Sequence, residues 1–252
     1  MTDSKERFSS RVENYVRYRP GYPRAVLDLL RSECGLTSES VVADVASGTG
    51  HLSELFLKNG NRVYGVEPNT EMREAGERRL ERYEHFTSVA GPAEGTTLEV
   101  GSVDFVLIGQ AFHWFDPDAA RAEFVRILQP GGWVALLWNE MREGATPFME
   151  AYERLIREYK TEEYKPFDLP GEVRSFFGPG AFEARSFEHR QTFDLDGLKG
   201  RLLSSSYVPD AGHPGYDAMT EDLEEVFRIH QESERVDIEY ETLAYYGRLQ
   251  VL

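Results

Sequence analysis

Short apolar runs alternate with amphipathic stretches along the first 140 residues of the chain. The runs have the length of buried strands and predict strands at residues 41–45, 62–66, 86–90, 103–108 and 133–138. Between them, apolar residues recur at helical spacing and predict helices at residues 23–35, 51–58, 70–82 and 118–128. Strands that alternate with helices are typical of a parallel sheet with helical crossovers.

Beyond residue 140 the pattern is less regular. The stretch 166–181 contains three prolines and three glycines and is predicted to be a loop. The helices predicted in this part of the chain cover residues 147–159, 195–203 and 216–232. Its two predicted strands lie far apart in the sequence, at residues 182–193 and 236–246. Local pattern alone does not indicate where these two strands join the sheet.

Composition limits the classes of function. The chain has 28 lysines and arginines against 44 aspartates and glutamates, a net charge of −16. Nucleic acids and anionic membranes repel such a chain, so neither is an expected partner, although a local basic pocket would still suit a small acid. The single cysteine, Cys34, excludes an internal disulfide. Without an apolar segment long enough to span a membrane, the chain is predicted to be cytoplasmic.

The most informative motif is the segment 41–50, in which an apolar strand runs through Asp44 into a turn of small residues. Small side chains allow backbone N–H groups and the N-terminus of the next helix to approach a ligand closely. The second predicted strand ends at Glu67, about 20 residues downstream, where an acid that binds ribose hydroxyls is expected. The two features together predict a ligand that contains a nucleoside.

Four segments resemble, in the same order, the motifs of class I S-adenosylmethionine-dependent methyltransferases: residues 44–50, 67–69, 102–115 and 126–134. Segments 18–23 and 110–115 are similar to the small-molecule branch of that family, which includes the trans-aconitate methyltransferases. The resemblance implies an α/β fold with a doubly wound, mostly parallel seven-stranded sheet and helical lid elements.

Under this resemblance, residues 1–252 form a single methyltransferase domain. Residues 1–40 are expected to form a helical cap and residues 41–140 the cofactor-binding core. Residues 141–252 are expected to supply lid insertions and the last two strands, paired antiparallel at the sheet edge. The expected cofactor is S-adenosylmethionine, and the expected partner is a small-molecule substrate. The oligomeric state is not predicted.

The resemblance also implies roles for individual residues. Asp44 is expected at the amino-acid end of the cofactor, Glu67 on the ribose hydroxyls and Arg19 on the cofactor carboxylate. The chain departs from the family at Ala46, where glycine is commoner. It departs again at Pro92, where an acid usually meets the adenine. The predicted cofactor-binding residues are Arg19, Asp44, Ala46, Ser47, Gly48, Gly50, Glu67, Pro68, Met72, Ala93, Glu94, Gln110 and Ala111.

The predictions for the methyl acceptor concern aromatic and basic residues, most of them near the fourth predicted strand. The residues expected to line the substrate pocket are Tyr18, Phe112 and Trp114, with core packing as the alternative for the two rings near that strand. His113 is the candidate general base, because its reference pKa lies near neutrality. A buried structural histidine is the alternative. His51 is interpreted as a surface or capping histidine.

The acceptor atom decides whether a base is needed. A carboxylate acceptor needs none and would be oriented by an arginine such as Arg17 or Arg201. A hydroxyl, amine or activated carbon would use His113. The sequence has no metal-ligand spacing, and no metal is expected.

The expected function is methyl transfer to a small molecule, a carboxylic acid being one option. One alternative is a cofactor-binding regulator without catalysis. The other is an NAD-dependent oxidoreductase, which usually has a third glycine where this chain has Ser53.

Overall fold

The computed structural model describes residues 12–161 and 167–249. The strands are β1 (Val41–Val45), β2 (Arg62–Val66), β3 (Phe86–Val89), β4 (Val103–Gly109), β5 (Leu128–Met141), β6 (Phe182–Phe193) and β7 (Val236–Gly247). They form one sheet in the order β3-β2-β1-β4-β5-β7-β6. Strands β1 to β5 are parallel, whereas β7 runs antiparallel to both β5 and β6. The predicted fold class is confirmed.

The described helices are α1 (Val12–Tyr18), α2 (Ala25–Cys34), α3 (His51–Lys58), α4 (Thr70–Leu80), α5 (Pro117–Ile127), α6 (Pro147–Tyr159), α7 (Leu169–Phe177), α8 (Leu195–Leu203) and α9 (Tyr216–His230). A 3-10 turn covers Phe112–Trp114. Most predicted bounds agree with these within two residues. Residues 1–11 of the predicted cap lie outside the described residues, and none of the described helices is long and apolar enough to cross a membrane.

The two faces of the sheet are covered by different helices. One core contains Phe56 of α3 and Leu30 of α2, packed with Leu107 of the sheet. The opposite core contains Phe124 of α5 and Phe176 of α7. Burial on both faces explains why β1 and β4 read as continuous apolar runs in the sequence.

A third apolar cluster lies outside these two layers. It joins helices α6, α8 and α9 to the first half of β7, residues 236–240, and these segments are called the lid below. Its buried residues include Met149, Tyr152, Leu202 and Met219. Helix α1 packs on the lid through the Tyr18 ring, which lies so close to Gly200 that a larger residue there would clash.

The prediction of a loop at 166–181 was wrong. Helix α7 occupies the middle of that stretch, and its prolines and glycines stand near the helix ends. Asp168 caps the helix by accepting a hydrogen bond from the Gly171 N–H, Pro170 lies in the first turn, and Gly178 follows the last residue. Burial of the side chains of Phe176 and Phe177 holds the helix on the sheet.

Strand β5 is also longer than the predicted 133–138. Its first residue, Leu128, already pairs with Val103, and its last three residues pair with Tyr240, Glu241 and Thr242 of β7. This extension carries Asn139 past the end of the parallel sheet and towards the lid. Pairing with a strand about 100 residues away in sequence leaves no local pattern that would predict it.

Candidate active site

The turn after β1 is held open by residues in the left-handed region of backbone conformation. Ala46 has φ 57°, Gly48 has φ 56° and Gly50 has φ 80°. The Ser47 N–H donates to the Val66 carbonyl (3.1 Å), which fixes the turn to β2. A left-handed alanine is strained, which gives a physical reason for the glycine commonly found at the position of Ala46.

A pocket of about 50 Å³ lies where the turn meets the C-terminal ends of β1 and β4. These neighbouring strands lead to opposite halves of the sheet, and doubly wound folds bind ligands at such a switch point. The predicted cofactor-binding residues that line the pocket are Arg19, Asp44, Ala46, Ser47, Gly48 and Gln110. The fold therefore brings predicted residues from three distant segments of the chain together in this pocket.

Asp44 is the acidic residue that lines this pocket. Its side chain is 1% exposed, and its Oδ2 accepts a hydrogen bond from the Ser53 hydroxyl (2.6 Å). Burial raises the pKa of the carboxyl group to about 7, against the opposing effect of Ser53. No ion pair among the described residues offsets this charge, so a cation in the pocket would find a carboxylate without a counter-ion.

Arg19 and Gln110 each bring an unpaired polar atom to the same pocket. The Arg19 Nη2 donates to the Ser204 carbonyl (3.0 Å), while its Nε is buried without a partner among the described residues. The Gln110 Nε2 donates to the Asn139 carbonyl (2.7 Å), while its Oε1 is buried and likewise unpartnered. Gln110 also has a strained φ of 58°, a conformation that proteins often retain at functional sites.

Glu67 does not line the pocket, although it lies beside the turn. Its Oε2 accepts the Gly48 N–H and its Oε1 accepts the Asn69 N–H, both at 2.8 Å. Burial raises the pKa of this carboxyl group. Met72 lies beneath the turn, where its methyl group would contact a Cβ added at Gly48. Each Glu67 oxygen keeps a further lone pair for a ligand hydroxyl, so the predicted ribose contact stays a prediction.

The remaining predicted cofactor residues lie around the pocket without lining it. Pro68 follows β2 and is half-buried, and Gly50 packs against Leu80. Ala93 and Ala111 are buried in the core under α5. The carboxylate of Glu94 accepts the Asp116 N–H (2.9 Å), which ties the loop after β3 to the start of α5.

The aromatic residues predicted for the substrate pocket are separated in the structure. Phe112 is a core residue, buried edge-to-face against Phe176 at 5.0 Å between ring centres, because α7 covers it. Tyr18 lies against α8 in the lid. Trp114 is 42% exposed beside His113. None of the three lines the pocket described above, and their place in a substrate pocket stays a prediction.

His113 is not positioned as a base for this pocket. Its ring is partly exposed and contacts the rings of Trp114, Trp138 and Phe167, with ring centres 4.3, 5.2 and 5.6 Å away. These rings displace water and lower the histidine pKa to about 4. A neutral imidazole with so low a pKa is a poor proton acceptor near pH 7. The exposed ring does not match the alternative of a buried structural histidine, so the role of His113 stays a prediction.

The interpretation of His51 as a surface or capping residue was wrong. His51 lines the pocket, with Nδ1 3.0 Å from the Thr49 hydroxyl and Nε2 2.8 Å from the Arg79 guanidinium. Burial, with a further effect from Arg79, lowers the histidine pKa to about 3. The imidazole is therefore neutral and holds the turn against α4. Its position directly after the glycine turn was the signal available in the sequence.

Asn139 and Tyr22 are further pocket residues that sequence reasoning missed. The Asn139 Nδ2 donates to the Gly21 carbonyl (3.1 Å), and its Oδ1 accepts from the Thr242 hydroxyl (2.6 Å). It thereby joins the N-terminal segment, β5 and β7 at one point. The Tyr22 ring covers Gly109, where a side chain would clash with the Tyr22 hydroxyl. The N-terminal segment thus closes the pocket.

Comparison with known proteins agrees with this geometry. Residues 43–136 match the family described as a methyltransferase domain. An uncharacterized methyltransferase of Schizosaccharomyces pombe is 24% identical over 94% of this chain and 95% of its own length. One of Mycobacterium tuberculosis is 37% identical over 54% of this chain and 53% of its own length. The fold of a type II methyltransferase from Anaeromyxobacter dehalogenans superposes over 92% of this chain and 98% of that chain, with a TM-score of 0.68 and 21% identity.

These findings define the chain first as a Rossmann-like α/β protein with a ligand pocket at the switch point of its sheet. The matching domain, the relatives and this structural neighbour indicate a methyltransferase and support the class I S-adenosylmethionine-dependent family. S-adenosylmethionine is the methyl donor that this family implies. The relatives and the structure compared above carry methyltransferase names and not oxidoreductase names.

Proposed function

We propose that the pocket binds the amino-acid end of S-adenosylmethionine and presents its methyl group to a small-molecule acceptor. One observation carries the proposal. An α-amino acid has one carboxylate and one ammonium, and the pocket offers a buried donor, the Arg19 Nε, and two buried acceptors, Gln110 Oε1 and the Asp44 carboxylate. The Arg19 Nε and the Gln110 Oε1 have no hydrogen-bond partner among the described residues, and such buried groups are costly in a folded protein unless a ligand satisfies them. Asp44 keeps its hydrogen bond from Ser53 but has no counter-ion among the described residues.

In this proposal Arg19 binds the carboxylate of the cofactor, while Asp44 and Gln110 bind its ammonium group. Glu67 binds the ribose hydroxyls, and the small residues Ala46, Ser47 and Gly48 leave room for the ligand. When bound, S-adenosylmethionine supplies an activated methyl group whose leaving group departs as a neutral thioether. The protein then has to orient the reactants and exclude water, and the covering residues Tyr15 and Tyr22 serve that purpose.

We further propose a carboxylic acid as the acceptor class. A carboxylate is already deprotonated and needs no general base, and His113 has too low a pKa to serve as one. The net charge of −16 argues against a nucleic-acid acceptor because phosphate binding depends on cationic side chains.

Calorimetric titration with S-adenosylhomocysteine tests the cofactor site. Arg19→Gln and Asp44→Asn are each expected to weaken binding about 10- to 100-fold, the size of a lost charged hydrogen bond. Arg17→Gln is the matched control, since Arg17 is an exposed arginine on α1, two residues before Arg19. Wild-type affinity in both site variants would refute the assignment of this pocket to the amino-acid end.

The acceptor class is tested by transfer of labelled methyl from S-adenosylmethionine to a panel of small acids, phenols and amines. Label that base treatment releases as methanol identifies an ester and supports a carboxylic acid. A base-stable product would replace that class with a hydroxyl, amine or carbon acceptor. Binding of the cofactor without any transfer would favour the non-catalytic regulator.

A further inference from the structure

Arg201 is a buried cation for which the described residues provide no anion. It lies on α8 and is 4% exposed. Its Nε donates to the Tyr240 hydroxyl (2.9 Å) and its Nη1 to the Ser205 hydroxyl (3.2 Å). Both partners are neutral, and no ion pair among the described residues includes Arg201. Isolated buried charges are strongly unfavourable, so this one calls for a counter-ion.

A second guanidinium, that of the half-buried Arg19, lies near Arg201. The Arg19 Nη2 donates to the backbone carbonyl of Ser204, the third residue after Arg201. Arg201 and burial together lower the pKa of Arg19, which indicates that the two charges repel each other. Two like charges inside the protein add to the cost of each, and an anion between or beside them would remove it.

The Tyr152 hydroxyl is the third unusual group of this region. It lies on α6, is fully buried and has no hydrogen-bond partner among the described residues. Burial raises the pKa of Tyr152, so its hydroxyl stays protonated at neutral pH and cannot neutralise Arg201. A protonated hydroxyl can, however, donate a hydrogen bond to an anion.

We propose that Arg201 and the Tyr152 hydroxyl form a subsite for a carboxylate group of the acceptor, on the lid side of the cofactor pocket. Arg19 lies between the two sites and serves the cofactor carboxylate. The inference rests on the proposed function and deepens it, because it names the lid groups that select the acceptor. The other possible source of the anion is the cofactor's own carboxylate, and the experiment separates the two.

The experiment measures thermal unfolding and calorimetric binding of the full chain. Protein saturated with S-adenosylhomocysteine is titrated with acetate, malonate, succinate and citrate, against chloride at equal ionic strength and against the diamide of succinate. At least one acid is expected to raise the Tm of the wild type, and the diamide is not. In Arg201→Gln the acid affinity should fall about 10- to 100-fold, as for a lost charged hydrogen bond. The control Arg157→Gln, at an exposed position of α6, should respond as wild type.

Separate measurements distinguish loss of the acid subsite from a folding defect and from failure of the proposed function. Without ligand, Arg201→Gln should unfold at or above the wild-type Tm, because it removes an unpaired buried charge. S-adenosylhomocysteine affinity should change less than twofold in Arg201→Gln. Tyr152→Phe should also weaken the acid response.

Three outcomes would overturn the subsite. In the first, no acid stabilises the wild type more than it stabilises Arg201→Gln. In the second, Arg201→Gln loses cofactor affinity to the same extent as Arg19→Gln, which assigns the anion to the cofactor. In the third, ligand-free Arg201→Gln has a markedly lower Tm and keeps the acid response, which makes Arg201 structural. Loss of cofactor binding in the wild type would instead refute the proposed function.

Discussion

The sheet core and the lid treat buried polar groups in opposite ways. In the core, Asn61 donates to the Thr37 and Ser40 carbonyls, and Glu123 binds both Thr96 and Arg126. These groups satisfy one another and hold loops in place. In the lid, Arg201 donates to two hydroxyls and lies over the Tyr240 ring, and the Tyr152 hydroxyl has no hydrogen-bond partner among the described residues. A satisfied polar group is explained by the fold, whereas an unsatisfied one needs a ligand or a cost in stability.

Asp44 is the exception that makes the comparison useful. It lies in the strand and turn that the sequence pattern predicts most clearly. Like Arg201, however, it has hydrogen bonds but no counter-ion among the described residues. Both residues face the region between the sheet and the lid. We therefore attribute the unsatisfied polar groups to their closeness to the proposed ligand site and not to the lid as such. Natural proteins give up stability at functional sites.

Asp44→Asn should have the largest effect on stability. Burial raises the carboxyl pKa from 3.8 to about 7, so between these values the folded protein holds a proton that the unfolded chain has released. Stability of the ligand-free wild type should therefore fall as the pH rises from about 4 to about 7, by on the order of 4 kcal/mol. Asp44→Asn should remove that fall and be more stable at pH 7.5.

Urea unfolding at several pH values measures this difference. The exposed Asp196→Asn, on α8, is the control and should keep the wild-type dependence on pH. An equal fall in stability in wild type and Asp44→Asn would show that Asp44 is stabilised as a carboxylate by the fold, and the exception would disappear.

Tyr152→Phe should have the next largest effect, because it tests whether the lid hydroxyl is unsatisfied. Removing a buried hydroxyl without a partner should raise the free energy of unfolding by about 1–3 kcal/mol in ligand-free protein. The matched variant is Tyr240→Phe in the same cluster, whose hydroxyl accepts a hydrogen bond from Arg201. Tyr240→Phe should be destabilising. Equal destabilisation by both variants would mean that the Tyr152 hydroxyl is as well satisfied as that of Tyr240, and the lid would then resemble the core in this respect.

Local patterns predicted elements of both regions, because helices α6 and α8 of the lid have the predicted bounds just as strands β1 and β2 of the sheet do. Strands β1 and β2 stand out in the sequence because parallel strands that are covered on both faces bury most of their side chains and are therefore largely apolar. Helix α7 was missed because its capping residues resemble loop residues. The contact between Arg19 and Ser204 joins positions 185 residues apart, and that between Asn139 and Gly21 joins positions 118 apart. No local pattern encodes such contacts.

The site follows the same division. Residues of the β1 turn could be predicted because small residues and an acid at a strand end have a local signature. The burial of His51 and the unpaired charge of Arg201 depend on which helix packs over them. The sequence suggested Arg201 for orienting an acid from its residue type alone. Only the fold could reveal that no carboxylate among the described residues lies near it.

Ala46→Gly should have the smallest effect and tests strain within the core itself. The left-handed φ of 57° costs an alanine about 1–2 kcal/mol, and glycine avoids this cost while losing more backbone entropy on folding. The net gain in the free energy of unfolding should be about 0.5–1 kcal/mol, with S-adenosylhomocysteine affinity within twofold of wild type. Ala43→Gly, in the middle of β1 and without a positive φ, is the control and should be destabilising. Destabilisation by both variants would mean that the turn carries no strain and that alanine at this position is as suitable as glycine.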